Sequence, residues 1–390
     1  MCTPPGYNCW RMPPTKIRVG IVGFGHMHIN DVMRQFAELD EVRLVAAADT
    51  VAEPPEVSNA TFTRAWNARY AQESIGIPVL YPTYHEMLER EQFDVVLVYC
   101  EIARHAEVVE AVARYGCRIV VEKPMADTMA NGLRIVRAAR EAGIDLFVNW
   151  PSTWMPAVRM AYELLASGAI GRVLGVKYRG GHNGPLGAGA QHQGVAASAS
   201  ELTDLDRSLA WWYRAGTGGG ALLDYASYGA CLAYWFFGEP ASAVTALAAN
   251  LGHPYATVED NAVVVVRFPS GMAVCEASWT QIGPGITPGP IVYGERGTLV
   301  VQRSGGRSWV EIQRSGSSDV VEVVEPRSLP VGRQNIAQEI VSCVRTGVPM
   351  HETLSPGFNV QPMAILDAAV RSVSSGRVEP VEVTSPAADP

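Results

Sequence analysis

The chain has 390 residues, which at about 150 per domain points to two or three domains and a sizeable core. Its 31 Lys and Arg against 39 Asp and Glu give a net charge of −8 without any basic run, which argues against nucleic acid or an anionic membrane surface as partner. With 48% hydrophobic and 18% charged residues, it has the composition of a globular protein rather than a disordered one. The best uncharged apolar stretch, Tyr225 to Gly238, is shorter than the roughly 18 residues that suggest a membrane span. The first twenty residues lack a charged start and an apolar core, so no export signal is expected. Seven scattered cysteines without a C-x-x-C pair read as reduced thiols, and the expected location is cytoplasmic.

Residues 1–15, with four prolines and no periodicity, read as a disordered leader. From Lys16 onward, short apolar runs alternate with helical spacing. Strands are expected at Ile17–Val22, Val42–Ala48, Pro78–Tyr81, Asp94–Tyr99, Arg118–Val121 and Asp145–Asn149. Helices are expected between them at Ile29–Leu39, Ala65–Gln72, Tyr84–Glu91, Ala106–Tyr115 and Ala126–Ala142. This alternation predicts an α/β fold, a doubly wound parallel Rossmann sheet over residues 16–150. Beyond it the texture changes. A helix at Ala157–Ser167 and a strand at Val173–Tyr178 precede a Gly/Ala/Gln/Ser-rich stretch over about 180–205, read as a substrate-covering loop. A helix at Asp224–Phe237 is followed by strands at Ser242–Leu247, Ala262–Phe268, Met272–Trp279, Thr298–Val301, Trp309–Gln313 and Val320–Val324. The Gly-containing turns between them predict a large, open, mostly antiparallel sheet. Two helices, Asn335–Thr346 and Asn359–Ser374, complete a second α/β domain over 151–378, and 379–390 read as a tail.

The first strand ends in Gly23-Phe24-Gly25-His26-Met27-His28, a dinucleotide fingerprint whose third glycine is replaced. Two glycines permit a tight turn and bring backbone amides to a pyrophosphate at a helix N-terminus. Asp49 closes the second strand, 24 residues after Gly25, where an acid meets ribose hydroxyls. An acid there repels a 2′-phosphate, and no arginine follows Thr50, so NAD is expected over NADP.

At Val121-Glu122-Lys123-Pro124 the chain resembles the glucose–fructose oxidoreductase, inositol dehydrogenase and MocA (Gfo/Idh/MocA) family over about residues 16–375. His105, Gly218-Gly219-Gly220 running into Asp224, and Ile291 to Leu299 carry the resemblance further. It implies a Rossmann domain followed by an open-sheet α/β domain, and hydride transfer between a nicotinamide and a secondary alcohol of a sugar or cyclitol. By this resemblance the nucleotide is lined by Gly23, Phe24, Gly25, His26, Met27, Asp49, Cys100, Glu101, His105, Glu122 and Lys123. Lys123 and Asp224 match the family's lysine and aspartate, while Tyr228 and Cys231 stand where a histidine and an aspartate are usual. Cys100-Glu101 replaces Thr-Pro, and Thr153-Trp154 replaces Arg-Phe.

Oxidising an alcohol needs a base for the hydroxyl proton and an acceptor for hydride. Asp224 and Tyr228, at i and i+4, share one helix face. A tyrosine serves as base only when a cation stabilises its phenolate, and Lys123 is the candidate cation. Lys123, Asp224 and Tyr228 are therefore the expected catalytic residues. Trp150, Trp154 and His182 are candidate substrate contacts, with Trp211 and Trp212 further aromatic candidates. His182 and His192 lack a carboxylate or thiol neighbour, so no metal is expected. Two other readings are a redox-neutral sugar lyase or glycosidase with tightly held NAD, and a non-catalytic dinucleotide sensor. The open sheet points to a homodimer or homotetramer.

Overall fold

The computed structural model describes residues 16–51, 59–187, 202–283, 287–314, 316 and 321–383. The expected leader, much of the 180–205 loop including His192, and the end of the expected tail lie outside them. The first sheet contains β1 (Ile17–Val22), β2 (Val42–Ala48), β3 (Leu80–Tyr81), β4 (Val95–Val98), β5 (Arg118–Glu122) and β6 (Leu146–Asn149). All are parallel, in the order β3-β2-β1-β4-β5-β6. Its connections carry α1 (Ile29–Ala37), α2 (Arg64–Glu73), α3 (Tyr84–Arg90), α4 (His105–Ala113) and α5 (Met129–Ala142). Every residue of β4 is fully buried, as expected for a strand covered on both faces. Helix α5 starts three residues later than the apolar pattern suggests. Thr128 caps it, its side chain accepting from the Asn131 amide.

The chain crosses to the second sheet through α6 (Pro156–Ala166) and β7 (Val173–Gly181), which runs three residues past the expected end. An unforeseen short helix, α7 (Asp204–Leu209), and α8 (Ser227–Phe237) precede β8 (Ala243–Ala249), β9 (Asn261–Arg267) and β10 (Met272–Ser278). Then come β11 (Ile291–Gly294), β12 (Gly297–Ser304), β13 (Arg307–Arg314), β14 (Val321–Val324), α9 (Ile336–Thr346), α10 (Pro356–Ser375) and β15 (Glu379–Pro380). The sheet order is β14-β13-β12-β11-β7-β10-β9-β8-β15, antiparallel except for the β7–β10 pair. Glu379 and Pro380, placed in the tail by sequence, pair with β8. Alternating burial along β9 and β10 turns one face inward, and α8 and α10 cover the sheet. Helix α9 returns to the first sheet, where Ile336, Ala337 and Ile340 join the core formed by Ile29, Met33 and Phe36 of α1.

Candidate active site

The strand order reverses direction between β1 and β4, so their carboxyl ends flank the crevice where doubly wound sheets bind nucleotides. Gly23 lies in that crevice with φ +96°, and a Cβ there would sit 2.6 Å from the Cys100 backbone nitrogen. Only glycine meets both demands. Asp49, at the end of β2, accepts from the Thr50 amide (2.7 Å) and weakly from the Phe24 amide (3.4 Å), both through Oδ1. Oδ2 carries no bond from the described residues and remains an acceptor for ribose hydroxyls. Burial pushes the Asp49 carboxyl up, against the pull of Arg64 and the Thr50 amide. This turn and this acid fit a dinucleotide.

Arg64 is the residue that sequence reasoning missed here. The expectation found no arginine beside Asp49, yet Arg64, 15 residues further on, donates to Asp49 Oδ1 at 2.5 Å and also pairs with Glu101. It opens α2 behind the cap Thr63, and no local sequence signal links it to Asp49. Glu101 also accepts from the Thr50 hydroxyl. Cys100 is fully buried, and burial raises its thiol well above the ordinary value. His105 is fully buried as well, with its Nδ1 3.2 Å from the Met125 carbonyl oxygen, so it braces the turn that carries Lys123. Met27 and Phe24 pack in the core, and Trp211 Nε1 donates to Gly25 O at 2.7 Å.

Next to the turn, His26, His28 and Glu122 bring three ring-nitrogen or carboxylate atoms within 4.8 Å of one another, a cluster the sequence did not signal. His28 Nδ1 and Glu122 Oε1 share a hydrogen bond of 2.8 Å, and His26 Nε2 lies 3.9 Å from the same oxygen. His26 Nδ1 accepts from the His28 amide, which places the proton of a neutral ring on Nε2, facing Glu122. The arrangement is that of a hydrogen-bonded group rather than of converging lone pairs.

Lys123 follows Glu122 and is 1% exposed. Its ammonium donates to Asp224 Oδ1 (2.7 Å) and Asp224 O (2.9 Å). Trp279 Nε1 donates to the other carboxylate oxygen at 3.0 Å. Burial acts to raise the Asp224 carboxyl, and Lys123 and His182 outweigh it, holding it below the ordinary carboxylate range. Asp224 belongs to a π-helical turn, Leu222–Ala226, wound wider than the helix expected from sequence, and Tyr228 lies on α8 just beyond. Gly220, at φ +110°, admits Glu259, whose Oε1 accepts from the Leu222 amide at 3.0 Å and pins the turn.

Lys123 and Tyr228, expected to act together, are in contact. The ammonium stands over the ring face, 4.6 Å from its centroid, instead of bonding the phenol oxygen. Burial, with Glu122 and Tyr178 nearby, pushes the Tyr228 phenol well above its ordinary value of 10.0. Trp150 and Trp154, expected as stacking faces for substrate, are placed elsewhere. Trp150 is 1% exposed and donates to Asn359 Oδ1, supporting Tyr228 edge-on from behind. Trp154 donates to Asn149 Oδ1. Cys231 is buried among apolar groups. His182 does face the site. With Lys123, Asp224 and Tyr228 it borders a small cavity of about 30 Å³, and with Tyr178, Tyr225, Tyr228, Gln281 and Arg303 it borders a larger one of about 780 Å³.

Residues 17–150 match the oxidoreductase family with an NAD-binding Rossmann fold, and residues 158–300 match the GFO/IDH/MocA C-terminal domain. The chain is 28% identical to a D-apiose dehydrogenase of Paraburkholderia graminis over 40% of its length and 38% of the relative's. It is 27% identical to a dTDP-3,4-didehydro-2,6-dideoxy-alpha-D-glucose 3-reductase of Actinomadura kijaniata, covering 64% of this chain and 65% of the other. These matches thus span less than two thirds of either relative. A 1,5-anhydro-D-fructose reductase of Ensifer adhaerens is 26% identical over 81% of this chain and 87% of its own. Among solved structures, the aldose-aldose oxidoreductase of Caulobacter crescentus complexed with glycerol superposes with a TM-score of 0.72 at 22% identity, covering 94% and 99% of the two chains. The WlbA dehydrogenase of Bordetella pertussis, in complex with NADH and UDP-GlcNAcA, gives 0.70 at 21% over the same shares. The nucleotide turn, the buried lysine–aspartate pair above it and these matches to both halves agree: the chain belongs to the Gfo/Idh/MocA family of NAD-binding oxidoreductases.

Proposed function

We propose that this chain transfers hydride between NAD and a secondary alcohol carbon of a sugar, sugar derivative or cyclitol. The observation that carries the reading is the buried Lys123–Asp224 pair lining a cavity of about 30 Å³ that shares His182, Tyr225 and Tyr228 with a larger cavity of about 780 Å³ with a mixed lining. Tyr178 and Tyr225 offer apolar ring faces, while His182, Asn183, Gln281 and Arg303 offer polar groups at several angles. Such a lining suits a ring that carries hydroxyls around an apolar frame. Relatives named as acting on apiose, a dideoxyglucose nucleotide and anhydrofructose support the same class.

When bound, NAD supplies the hydride acceptor; everything else falls to the chain's own side chains. Glycines 23 and 25 would let the backbone approach the pyrophosphate, and Asp49 would accept from a ribose hydroxyl. Lys123 has three donors, two of them committed to Asp224, which leaves one for the substrate oxygen. Asp224, fixed by Trp279, orients that ammonium. The Tyr228 hydroxyl, which no described residue engages, borders the same cavity and is the second donor proposed for that oxygen. A panel of aldoses, ketoses and cyclitols with NAD and NADP, read as reduced-nicotinamide absorbance, tests the reading. Turnover of at least one polyol or its carbonyl partner is expected. A protein that binds NAD yet turns over none of them overturns it.

A further inference from the structure

Strand β12 alternates as a strand covered on one face should: Leu299 and Val301 point inward and are fully buried. The next position on that face is Arg303, whose partner across the sheet on β13 is the small Ser308. Inward positions on such a strand are ordinarily apolar, and this one carries a guanidinium that stays charged at any pH the protein meets. Arg303 is not packed into the core. Its side chain is exposed, and it borders the cavity of about 780 Å³ proposed for substrate.

Arginines nearby have acidic partners. Arg307 and Arg314 of β13 pair with Glu325 and Glu322, and Arg179 of β7, also on the cavity wall, pairs with Glu276 at 2.8 Å. Arg303 has no ion pair or side-chain hydrogen bond among the described residues, and no Asp, Glu or Lys is among those that line this cavity. Its charge reaches the phenols of Tyr178 and Tyr225 instead. Those two hydroxyls have no hydrogen-bond partner among the described residues either. Their rings lie 6.2 and 6.1 Å from that of Tyr228, and Gly180 makes room for one of them, since a Cβ there would sit 2.3 Å from the Tyr225 ring. A guanidinium with two phenol O–H groups beside it, on a wall without a carboxylate, is a donor set that a bound anion completes.

We propose that the substrate is a sugar acid whose carboxylate is held by Arg303 and the hydroxyls of Tyr178 and Tyr225, outside the small cavity that Lys123 and Asp224 border. The proposal rests on the oxidoreductase reading above and narrows its substrate class. A carboxylate suits the site better than a phosphate, because two oxygens sharing one charge match a single guanidinium fork. A phosphate dianion would call for a second cation, and Arg179 is committed to Glu276. The carboxylate takes no part in the hydride step. It anchors the ring so that a hydroxyl-bearing carbon is presented to Lys123.

The test titrates NAD-loaded protein by calorimetry, and assays turnover, with matched compounds: glucose against glucuronate and gluconate, galactose against galacturonate, and glucose 6-phosphate beside them. At least one acid should bind about tenfold or more tightly than its neutral counterpart, and the preference should shrink as sodium chloride is raised. Arg303→Gln should weaken binding of that acid by about 10- to 10²-fold, raise KM more than it lowers kcat, and cancel the preference. Arg303→Lys, which keeps the charge and loses the fork, should recover part of it. The melting temperature of both variants should match wild type, because the side chain is exposed. A panel in which no acid binds more tightly than its neutral counterpart overturns the proposal, and so does an Arg303→Gln protein that keeps the preference. Tighter binding of glucose 6-phosphate than of every carboxylate overturns the sugar-acid assignment. If an acid binds through Arg303 and neither it nor any other compound is turned over, the oxidoreductase reading fails while the anion site stands.

Discussion

Lys123 and Asp224 are tolerable inside the protein only together. Removing one leaves the other charge buried and uncompensated, which costs about 3–5 kcal/mol in sites of this kind. Lys123→Ala should therefore lower both turnover, by about 10²-fold or more, and the melting temperature. Adding Asp224→Asn should restore much of the thermal stability without restoring turnover. Stability that fails to recover in the double variant would show that Lys123 matters through packing rather than charge. A second paired arrangement governs the nucleotide. Asp49 repels a 2′-phosphate while Arg64 attracts one, so titrations of NAD and NADP should move oppositely: Asp49→Ala narrows the gap between the two, and Arg64→Gln widens it. Asp49 was legible because it stands at a strand end at the expected distance from the glycines. Arg64 was not, because its nearness to Asp49 exists only once α2 has packed.

Among the elements, the wide turn Leu222–Ala226 shows where reading by period stops. Apolar spacing gives a helix over 224–237, and a helix is there, but the extra width of its first turn comes from Glu259 and from a glycine with φ +110°. A Cβ at Gly220 would lie 2.3 Å from Glu259 Oε1. Gly220→Ala is thus expected to cost about 1–3 kcal/mol through backbone strain and the displaced carboxylate. Because the turn carries Asp224, kcat should fall while NAD affinity holds. Differential scanning calorimetry and cofactor titration separate the two effects. The connection between α9 and α10 carries a pH response. Burial, aided by Arg159 and Arg333, pushes His351 down to about 3. Its folded pKa is thus below the unfolded value near 6.5, so the unfolded chain binds a proton first as pH falls. The stability it contributes is complete above pH 6.5 and is lost progressively toward pH 3. His351→Asn should flatten that part of a urea-denaturation pH series. The strands of the first sheet and their parallel pairing were legible in the apolar runs, since burial on both faces leaves a plain pattern. The docking of α9 on α1 left none, because an amphipathic stripe does not name its partner.

At the scale of the whole molecule, the second sheet has apolar residues on one face that stay exposed among the described residues. Leu247 is 79% exposed, Met272 51% and Val263 44%, all on neighbouring strands. An apolar face of this kind is expected to be buried against a second copy. Light scattering of Leu247→Glu combined with Val263→Lys should then show a smaller species than wild type, and equal masses would overturn the expectation. The return of α9 has a different reach. Ile336 follows Asn149, the last residue of the nucleotide-binding sheet, by 187 positions. During synthesis the first half therefore leaves the ribosome with the seat on α1 bare, and it waits for most of the remaining polypeptide before that seat is filled. A chimera joined near residue 150 would inherit the same gap permanently, unless the donor of the first half also supplied the segment around 336–346.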